Sequence, residues 1–121
     1  MRKKTTKAEF RQFCEEVDRL TLALNLRDWD IQVRHDEWHL GKFKLESKYA
    51  VTELKADQRW AYITMNRDYV NIAFNPVRVA KHEMAHVFLA TLNYLGSCRW
   101  ADGSELDLED ERMAVVLEKV L

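Results

Sequence analysis

Two histidines and a glutamate form the pattern in this chain that is best suited to chemistry. His82, Glu83 and His86 have the spacing His-Glu-x-x-His. On a helix, positions four apart lie about 40° apart around the axis and roughly one turn along it, so both imidazoles can reach one metal ion. Glu83 projects beside them, where its carboxylate can take a proton from a metal-bound water. The spacing therefore predicts a metal site with His82 and His86 as ligands and Glu83 as general base.

The segment around this motif has the features of a buried helix. Asn75 is a good N-cap, Pro76 suits the first helical position, and Gly96 is expected to end the helix. Apolar residues between them fall on nearly every face, which is typical of a helix inside a core. Buried polar groups need partners, and a metal with its ligands and bound water supplies them. Residues 75–96 are therefore predicted to form a core helix.

The third protein ligand must be a carboxylate. No histidine lies beyond His86 in the sequence, whereas six of the ten residues 102–111 are acidic. Two histidines and one glutamate form the ligand set of one class of catalytic zinc sites, which leaves the fourth position for water. One of these acids is therefore expected to point toward the histidines.

The helix phase of residues 105–121 favours one acid over its neighbours. Its apolar stripe places Glu109 and Asp110 on the buried side, whereas Glu111 is expected to be more exposed. We therefore predict Glu109 as the third metal ligand, with Glu111 and Asp110 as the alternatives. The stripe that sets this phase comprises Leu106, Met113, Val116, Leu117 and Val120.

The remaining pattern predicts an α+β fold, in which an N-terminal helix packs on a small, mostly antiparallel sheet. Alternating apolar residues indicate the strands, and an apolar stripe indicates the first helix. The predicted elements are a helix over residues 6–25 capped by Thr5 or Thr6, strands over 29–34, 49–55 and 59–66, a hairpin turn at 56–58, and helices over 75–96 and 105–121. Residues 69–74 either add a short strand or lead into the second helix.

Composition favours a single domain over residues 1–121, which we expect to be a monomer. The chain has 47% apolar residues, and its formal net charge of -1 gives no electrostatic reason to expect a nucleic-acid or membrane partner. No apolar export core or membrane-spanning stretch follows the basic N-terminus. Cys14 and Cys98 lack metal-type or redox-type spacing, which favours reduced thiols and a cytoplasmic protein.

Residues 79–88 resemble the extended consensus of the zincin metalloproteases at every position. The whole chain resembles a minimal gluzincin, similar to the small phage and bacterial proteins of the ImmA/IrrE-like and minigluzincin type. Residues 109–117 are similar to the glutamate-rich helix that carries the third ligand in the ImmA/IrrE-like group, with Glu109 matching that ligand. Met113 stands where larger gluzincins have an aspartate that orients a histidine.

This resemblance implies a zinc metalloendopeptidase of zincin-like fold that binds one Zn²⁺ and hydrolyses a protein or peptide substrate. It also implies that an edge strand beside the motif helix aligns the substrate, either residues 60–65 or residues 69–74. A side chain that steadies the oxyanion is expected in such an enzyme. Its unranked candidates are Tyr62, Tyr69, Tyr94 and His39.

Two alternatives to the enzyme remain open from the sequence. The chain is short for a substrate-binding subdomain, so it could be a zincin-like protein-binding or regulatory module with little or no peptidase activity. Intact Glu83 favours the enzyme, because metal binding alone does not require it. A purely structural zinc site is less favoured, since it would normally be closed by four ligands including cysteine. His35 and His39 have ligand-like spacing, but the surrounding sequence indicates ordinary loop histidines.

Overall fold

The computed structural model describes residues 3–36, 49–69, 74–99 and 103–121. Over these residues the chain is α+β, with three helices and a small mixed sheet. The helices are α1 (Lys7–Ala23), α2 (Pro76–Arg99) and α3 (Gly103–Val120). The strands are β1 (Lys3–Lys4), β2 (Asp30–Asp36), β3 (Ala50–Lys55), β4 (Trp60–Asn66) and β5 (Asp68–Tyr69).

The main sheet has the strand order β2-β4-β3 and is mixed, so the prediction of a mostly antiparallel sheet is corrected. β3 pairs with β4 in antiparallel register through the predicted hairpin turn, whereas β2 pairs with β4 in parallel. β1 and β5 pair separately in antiparallel register. Apolar alternation predicts that a segment is a strand, but it contains no information on which neighbour it pairs with or in which direction.

The core lies between one face of this sheet and the helices α1 and α2. Ala61, Ile63 and Met65 alternate along β4 and are fully buried. They belong to one apolar cluster with Phe13 of α1 and Met84 of α2. Since α2 forms part of this core, its polar motif residues are held on a rigid and well-packed element.

The start of α1 is capped as predicted, and the cap is Thr6. Its side chain accepts a hydrogen bond from the backbone N–H of Glu9, whose carboxylate accepts one from the Thr6 N–H in return. Thr5 has a different role, because its hydroxyl donates to the Asn66 carbonyl and lies 2.7 Å from His35 Nε2. The N-terminus is thereby attached to the ends of β2 and β4.

The predicted motif helix is confirmed at its start but continues past its expected end. Asn75 Oδ1 accepts hydrogen bonds from the backbone N–H groups of Val77 and Arg78, and Pro76 is the first helical residue. Gly96 lies inside α2 and does not end it. A Cβ added to Gly96 would lie 3.1 Å from Leu106 Cδ2, so this glycine permits the close approach of α3.

The third helix packs along α2 and begins at Gly103, two positions before the predicted start. Residues 97–99 and 103–104 are helical rather than part of a loop, and residues 100–102 lie outside the described ranges. None of the helices in the described ranges is long and apolar enough to cross a membrane. The pairing of α2 with α3 brings acidic side chains of α3 to the motif histidines.

Candidate metal centre

The imidazoles of His82 and His86 lie side by side on one face of α2. Their ring centroids are 4.9 Å apart, with an angle of 74° between the ring planes. The two Nε2 atoms are 3.2 Å apart. Both side chains are only about one-fifth exposed, at 20% and 22%. The helical spacing of four residues thus directs both Nε2 atoms into the same small space.

Glu111 of α3 is the acid that the fold brings to these two nitrogens. Its Oε1 lies 3.0 Å from His82 Nε2, and its Oε2 lies 3.0 Å from His86 Nε2. Within the described ranges, these three side chains form the only group of three or more histidine, cysteine or acidic residues arranged to hold a metal ion. The carboxylate is 57% exposed because it points into an open cleft.

The separations among these side-chain atoms are close to those of a tetrahedral metal site. With metal–ligand distances of about 2.0–2.1 Å, two ligand atoms on a tetrahedron are about 3.3 Å apart. The observed distances are 3.2 Å between the nitrogens and 3.0 Å from each nitrogen to a different oxygen of Glu111, and one ligand atom from each side chain lies within 4.8 Å of the other two. The three side chains could therefore ligate one ion with little rearrangement.

Glu109, which the sequence favoured as third ligand, is not brought to the histidines. Its carboxylate accepts a hydrogen bond from Arg112 Nε at 3.0 Å on the same helix. The guanidinium of Arg112 lowers the pKa of Glu109 below its ordinary value, and the side chain is 52% exposed. The alternative ligand Glu111 occupies the position that had been expected for Glu109.

Two further carboxylates of α3 hold the outer nitrogens of the imidazoles. Asp110 Oδ1 lies 2.7 Å from His86 Nδ1, and Glu118 Oε1 lies 3.2 Å from His82 Nδ1. Asn93 Nδ2 donates to Asp110 Oδ2 at 2.9 Å, and Arg78 Nε donates to Glu118 Oε2 at 3.2 Å. Carboxylates in this position fix the ring orientation of metal-binding histidines and raise their basicity.

This arrangement leaves three acceptors facing one another. Since Asp110 and Glu118 can only accept when ionised, each histidine donates from Nδ1, and a neutral imidazole then keeps a lone pair on Nε2. The lone pairs of His82 and His86 then meet the carboxylate of Glu111 without a donor between them. A cation at the centre would replace this repulsion by attraction. The chemistry of the donor set therefore fits a metal ion.

Glu83 lies beside the histidines in a more enclosed environment. The residue is only 7% exposed, and burial raises the pKa of its carboxyl above the ordinary value, an effect that His86, Thr52 and His82 partly oppose. Its Oε1 accepts a hydrogen bond of 2.9 Å from Thr52 Oγ1 on β3. A higher pKa makes a carboxylate a stronger base. Glu83 is not a member of the group of three side chains that could hold an ion.

The centre opens into a cleft of about 1140 Å³ between β3 and the helices α2 and α3. Among the described strands, β3 is an edge of the main sheet, and Ala50, Thr52 and Leu54 line the cleft. β4 is paired on both sides, so residues 60–65 are not an edge. In the other expected edge, residues 69–74, residue 69 belongs to β5 and residues 70–73 lie outside the described ranges.

The candidates for an oxyanion-stabilising side chain fall in different places. Tyr94 lines the cleft and is 43% exposed. Tyr62 stands with its ring 4.7 Å from that of Trp60 and beneath the guanidinium of Arg34. The Tyr69 side chain and all of His39 lie outside the described part of the chain. Of the two candidates whose side chains are described, Tyr94 lines the cleft and Tyr62 does not.

Several residues of the centre escaped the sequence analysis. Thr52 carries a hydroxyl on the side of β3 that it shares with the apolar residues Ala50 and Leu54. A polar side chain among the apolar positions of a strand indicates a hydrogen-bond partner in the interior. Asn93 and Glu118 lie on helix faces that carry the motif or the acids, but their contacts cross between helices. The spacing of residues within one helix does not predict contacts between two helices.

Comparison with protein-family models, curated proteins and solved structures gives no match for this chain.

Proposed function

We propose that this chain is a zinc-dependent metallopeptidase with a zincin-like arrangement. His82, His86 and Glu111 hold one Zn²⁺, and Glu83 is the general base. The observation that carries this proposal is that the Nε2 atoms of His82 and His86 lie 3.2 Å apart and each lies 3.0 Å from an oxygen of the Glu111 carboxylate, with both Nδ1 atoms held by carboxylates. Such a set has one position left for a substrate or water, as in catalytic zinc sites.

The donor types support zinc and a catalytic site. Two imidazoles with one carboxylate suit zinc, whereas magnesium and calcium favour oxygen ligands. Structural zinc sites are closed by four protein ligands, usually with cysteine. The group formed by His82, His86 and Glu111 contains three residues and no cysteine. A three-residue group beside a buried carboxylate therefore supports a catalytic site over a structural one.

Hydrolysis then proceeds through the chain's own groups as follows. Bound Zn²⁺ supplies Lewis acidity, which polarises a carbonyl and makes water nucleophilic near neutral pH. Glu83 accepts the proton of the attacking water in the cleft and later donates it to the departing amine nitrogen. Asp110 and Glu118 keep His86 and His82 in the tautomer that presents Nε2 to the centre.

The substrate of this enzyme is an extended peptide segment. β3 is an edge strand among the described residues, it lines the cleft, and Thr52 connects it to Glu83. A peptide that pairs with the outer edge of β3 would lie along the cleft past the three ligands. The packing of α2 against both this sheet edge and the acid-bearing α3 supports the zincin-like part of the proposal.

The proposal is tested by zinc loading and peptide cleavage together. The purified protein is supplied with zinc and incubated with denatured casein and a random peptide library, and fragments are identified by mass spectrometry. We expect about one zinc per chain and cleavage by the parent. Glu83→Gln should keep its zinc and lose cleavage, whereas the matched change Glu109→Gln should keep both. Chelation should abolish cleavage, and added zinc should restore it.

One outcome of this experiment would favour the protein-binding module over the peptidase. If the parent holds one zinc per chain but cleaves neither casein nor any library peptide, the peptidase proposal fails. A protein-binding module built around the same centre would then be the better description. If neither zinc nor another divalent ion binds at neutral pH, the metal site itself is ruled out.

A further inference from the structure

The hydroxyl of Thr52 reaches the carboxylate of Glu83 from a different element of the fold. Thr52 lies in the middle of β3, opposite Ile63 in the antiparallel register with β4. Its Oγ1 donates to Glu83 Oε1 at 2.9 Å across 31 positions of sequence. Ala50 and Leu54, on the same side of the strand, pack against the core. The hydroxyl is therefore a single polar group on an otherwise apolar face.

This contact determines how the two oxygens of Glu83 are used. Among the described residues, Thr52 provides the only side-chain hydrogen bond to Glu83. No fully buried side-chain oxygen or nitrogen in the described ranges lacks a hydrogen-bond partner. Oε2 is therefore reached from the cleft, which Glu83 lines. One oxygen is held by the strand, and the other remains available to a reacting group.

We infer that Thr52 is a positioning residue for the general base, an inference that rests on the proposed peptidase function. Its hydroxyl fixes Oε1 of Glu83, so that Oε2 is the oxygen that receives and returns the proton. A carboxylate that is held at one oxygen cannot rotate away from the reacting atoms, and small losses of orientation lower the rate of a chemical step.

The position of Thr52 also connects the base to the strand proposed to bind substrate. Its backbone belongs to β3, while its side chain holds Glu83 on α2. A displacement of this strand would move the partner of Glu83 with it. Substrate alignment and base orientation therefore depend on the same residue. The expected consequence of losing the hydroxyl is a slower chemical step and not weaker substrate binding.

Kinetics of conservative variants test this role. Thr52→Val removes the donor at nearly constant shape, Thr52→Ser retains it, and Thr21→Val is the matched control. Thr21 makes a comparable hydrogen bond of 2.8 Å to the Val17 carbonyl on α1. With zinc-loaded protein and one library peptide that the parent cleaves, we expect Thr52→Val to lower kcat about 10- to 100-fold with KM unchanged within about twofold. Thr52→Ser should recover most of the loss, and zinc content should be unchanged in all variants.

A second readout does not depend on cleavage. In metal-free protein, Thr52→Val should lower Tm by about 5 °C more in the parent than in a Glu83→Ala background, because only the parent retains the carboxylate partner. Equal shifts in the two backgrounds would show that the contact is absent and would overturn the inference.

The outcomes separate this inference from the function on which it rests. A parent that cleaves, together with a Thr52→Val variant of equal kcat or a Thr52→Ser variant as slow as Thr52→Val, overturns the positioning role and leaves the peptidase intact. A zinc-loaded parent that cleaves nothing overturns both. A slow Thr52→Val with rescue by serine and unequal Tm shifts supports the role.

Discussion

Asp110 Oδ1 lies 2.7 Å from Nδ1 of His86, from which it accepts a hydrogen bond. This carboxylate is itself held by Asn93 and is mostly buried, with 13% of its side chain exposed. It therefore fixes both the tautomer and the ring plane of one proposed ligand. Asp110 contacts the proposed ligand His86 and is not itself in the group that could hold an ion, although it was considered from the sequence only as an alternative ligand.

Removal of this carboxylate should weaken zinc binding without abolishing it. We expect Asp110→Ala to lower zinc affinity by about 10- to 100-fold, the usual effect of losing such an orienting partner. Asp107→Ala is the matched control, since Asp107 lies on the same helix and is exposed. It accepts a longer hydrogen bond from Asn93 than Asp110 does, at 3.4 Å compared with 2.9 Å. Competition with a chromophoric zinc chelator measures both affinities. Equal affinities for the two variants would contradict the orienting role.

The identity of the third ligand gives a second prediction. Glu111→Ala should reduce zinc retention to that of a two-histidine site, because the carboxylate at 3.0 Å from both Nε2 atoms is lost. Glu109→Ala should retain zinc at the parent level, since that carboxylate pairs with Arg112. Metal content after dialysis, measured by mass spectrometry, decides between them. Loss of zinc in Glu109→Ala alone would restore the preference drawn from the sequence.

The difference between these two glutamates shows where sequence reasoning stops. Apolar periodicity identifies the side of a helix that packs against other elements, and this led to Glu109. A ligand at an open centre instead points into a cleft that solvent enters, so its side chain is partly exposed. Glu111 is 57% exposed for this reason. Periodicity therefore located the helix correctly, whereas the acid that the structure brings to the histidines lies on a more exposed face of that helix.

Features encoded within a few residues were predicted well, and those that depend on distant partners were not. The cap at Thr6, the helical start at Pro76 and the spacing of His82 and His86 are local. By contrast, the parallel pairing of β2 with β4 depends on segments far apart in sequence. The hydrogen bond from Thr52 to Glu83 likewise joins residues that are far apart in sequence. Local propensity does not determine either of them.

A third prediction concerns the pH dependence of stability through His35. Burial and the nearby Arg67 guanidinium lower the pKa of this imidazole below 6.5, against smaller opposing effects of Glu9 and Asp36. The ring stacks on Phe10 with centroids 4.9 Å apart. Since the folded state favours the neutral ring, the unfolded state binds more protons below pH 6.5. Stability should therefore fall as pH decreases from 6.5 and stop falling below the folded-state pKa.

The measurement is the free energy of unfolding of metal-free protein between pH 5 and pH 8. The parent should lose more stability toward pH 5 than His35→Gln, whose side chain does not titrate but can still donate to Thr5. Above the ordinary pKa of 6.5, the difference between the two should be independent of pH. A parent and variant with parallel profiles throughout would show that His35 has no such role.

The last prediction concerns the close approach of α2 and α3 at Gly96. Alanine is favoured over glycine inside a helix by about 1 kcal/mol, but here its Cβ would lie 3.1 Å from Leu106 Cδ2. Overpacking of this kind opposes the gain in helix propensity. We expect Gly96→Ala to gain less than about 1 kcal/mol in the parent, and to be more stabilising in a Leu106→Ala background, where the contact is removed. Chemical denaturation of the four proteins measures the coupling. Equal effects of Gly96→Ala in both backgrounds would mean that Leu106 does not limit the approach of the helices, and that Gly96 is tolerated in α2 without a packing reason.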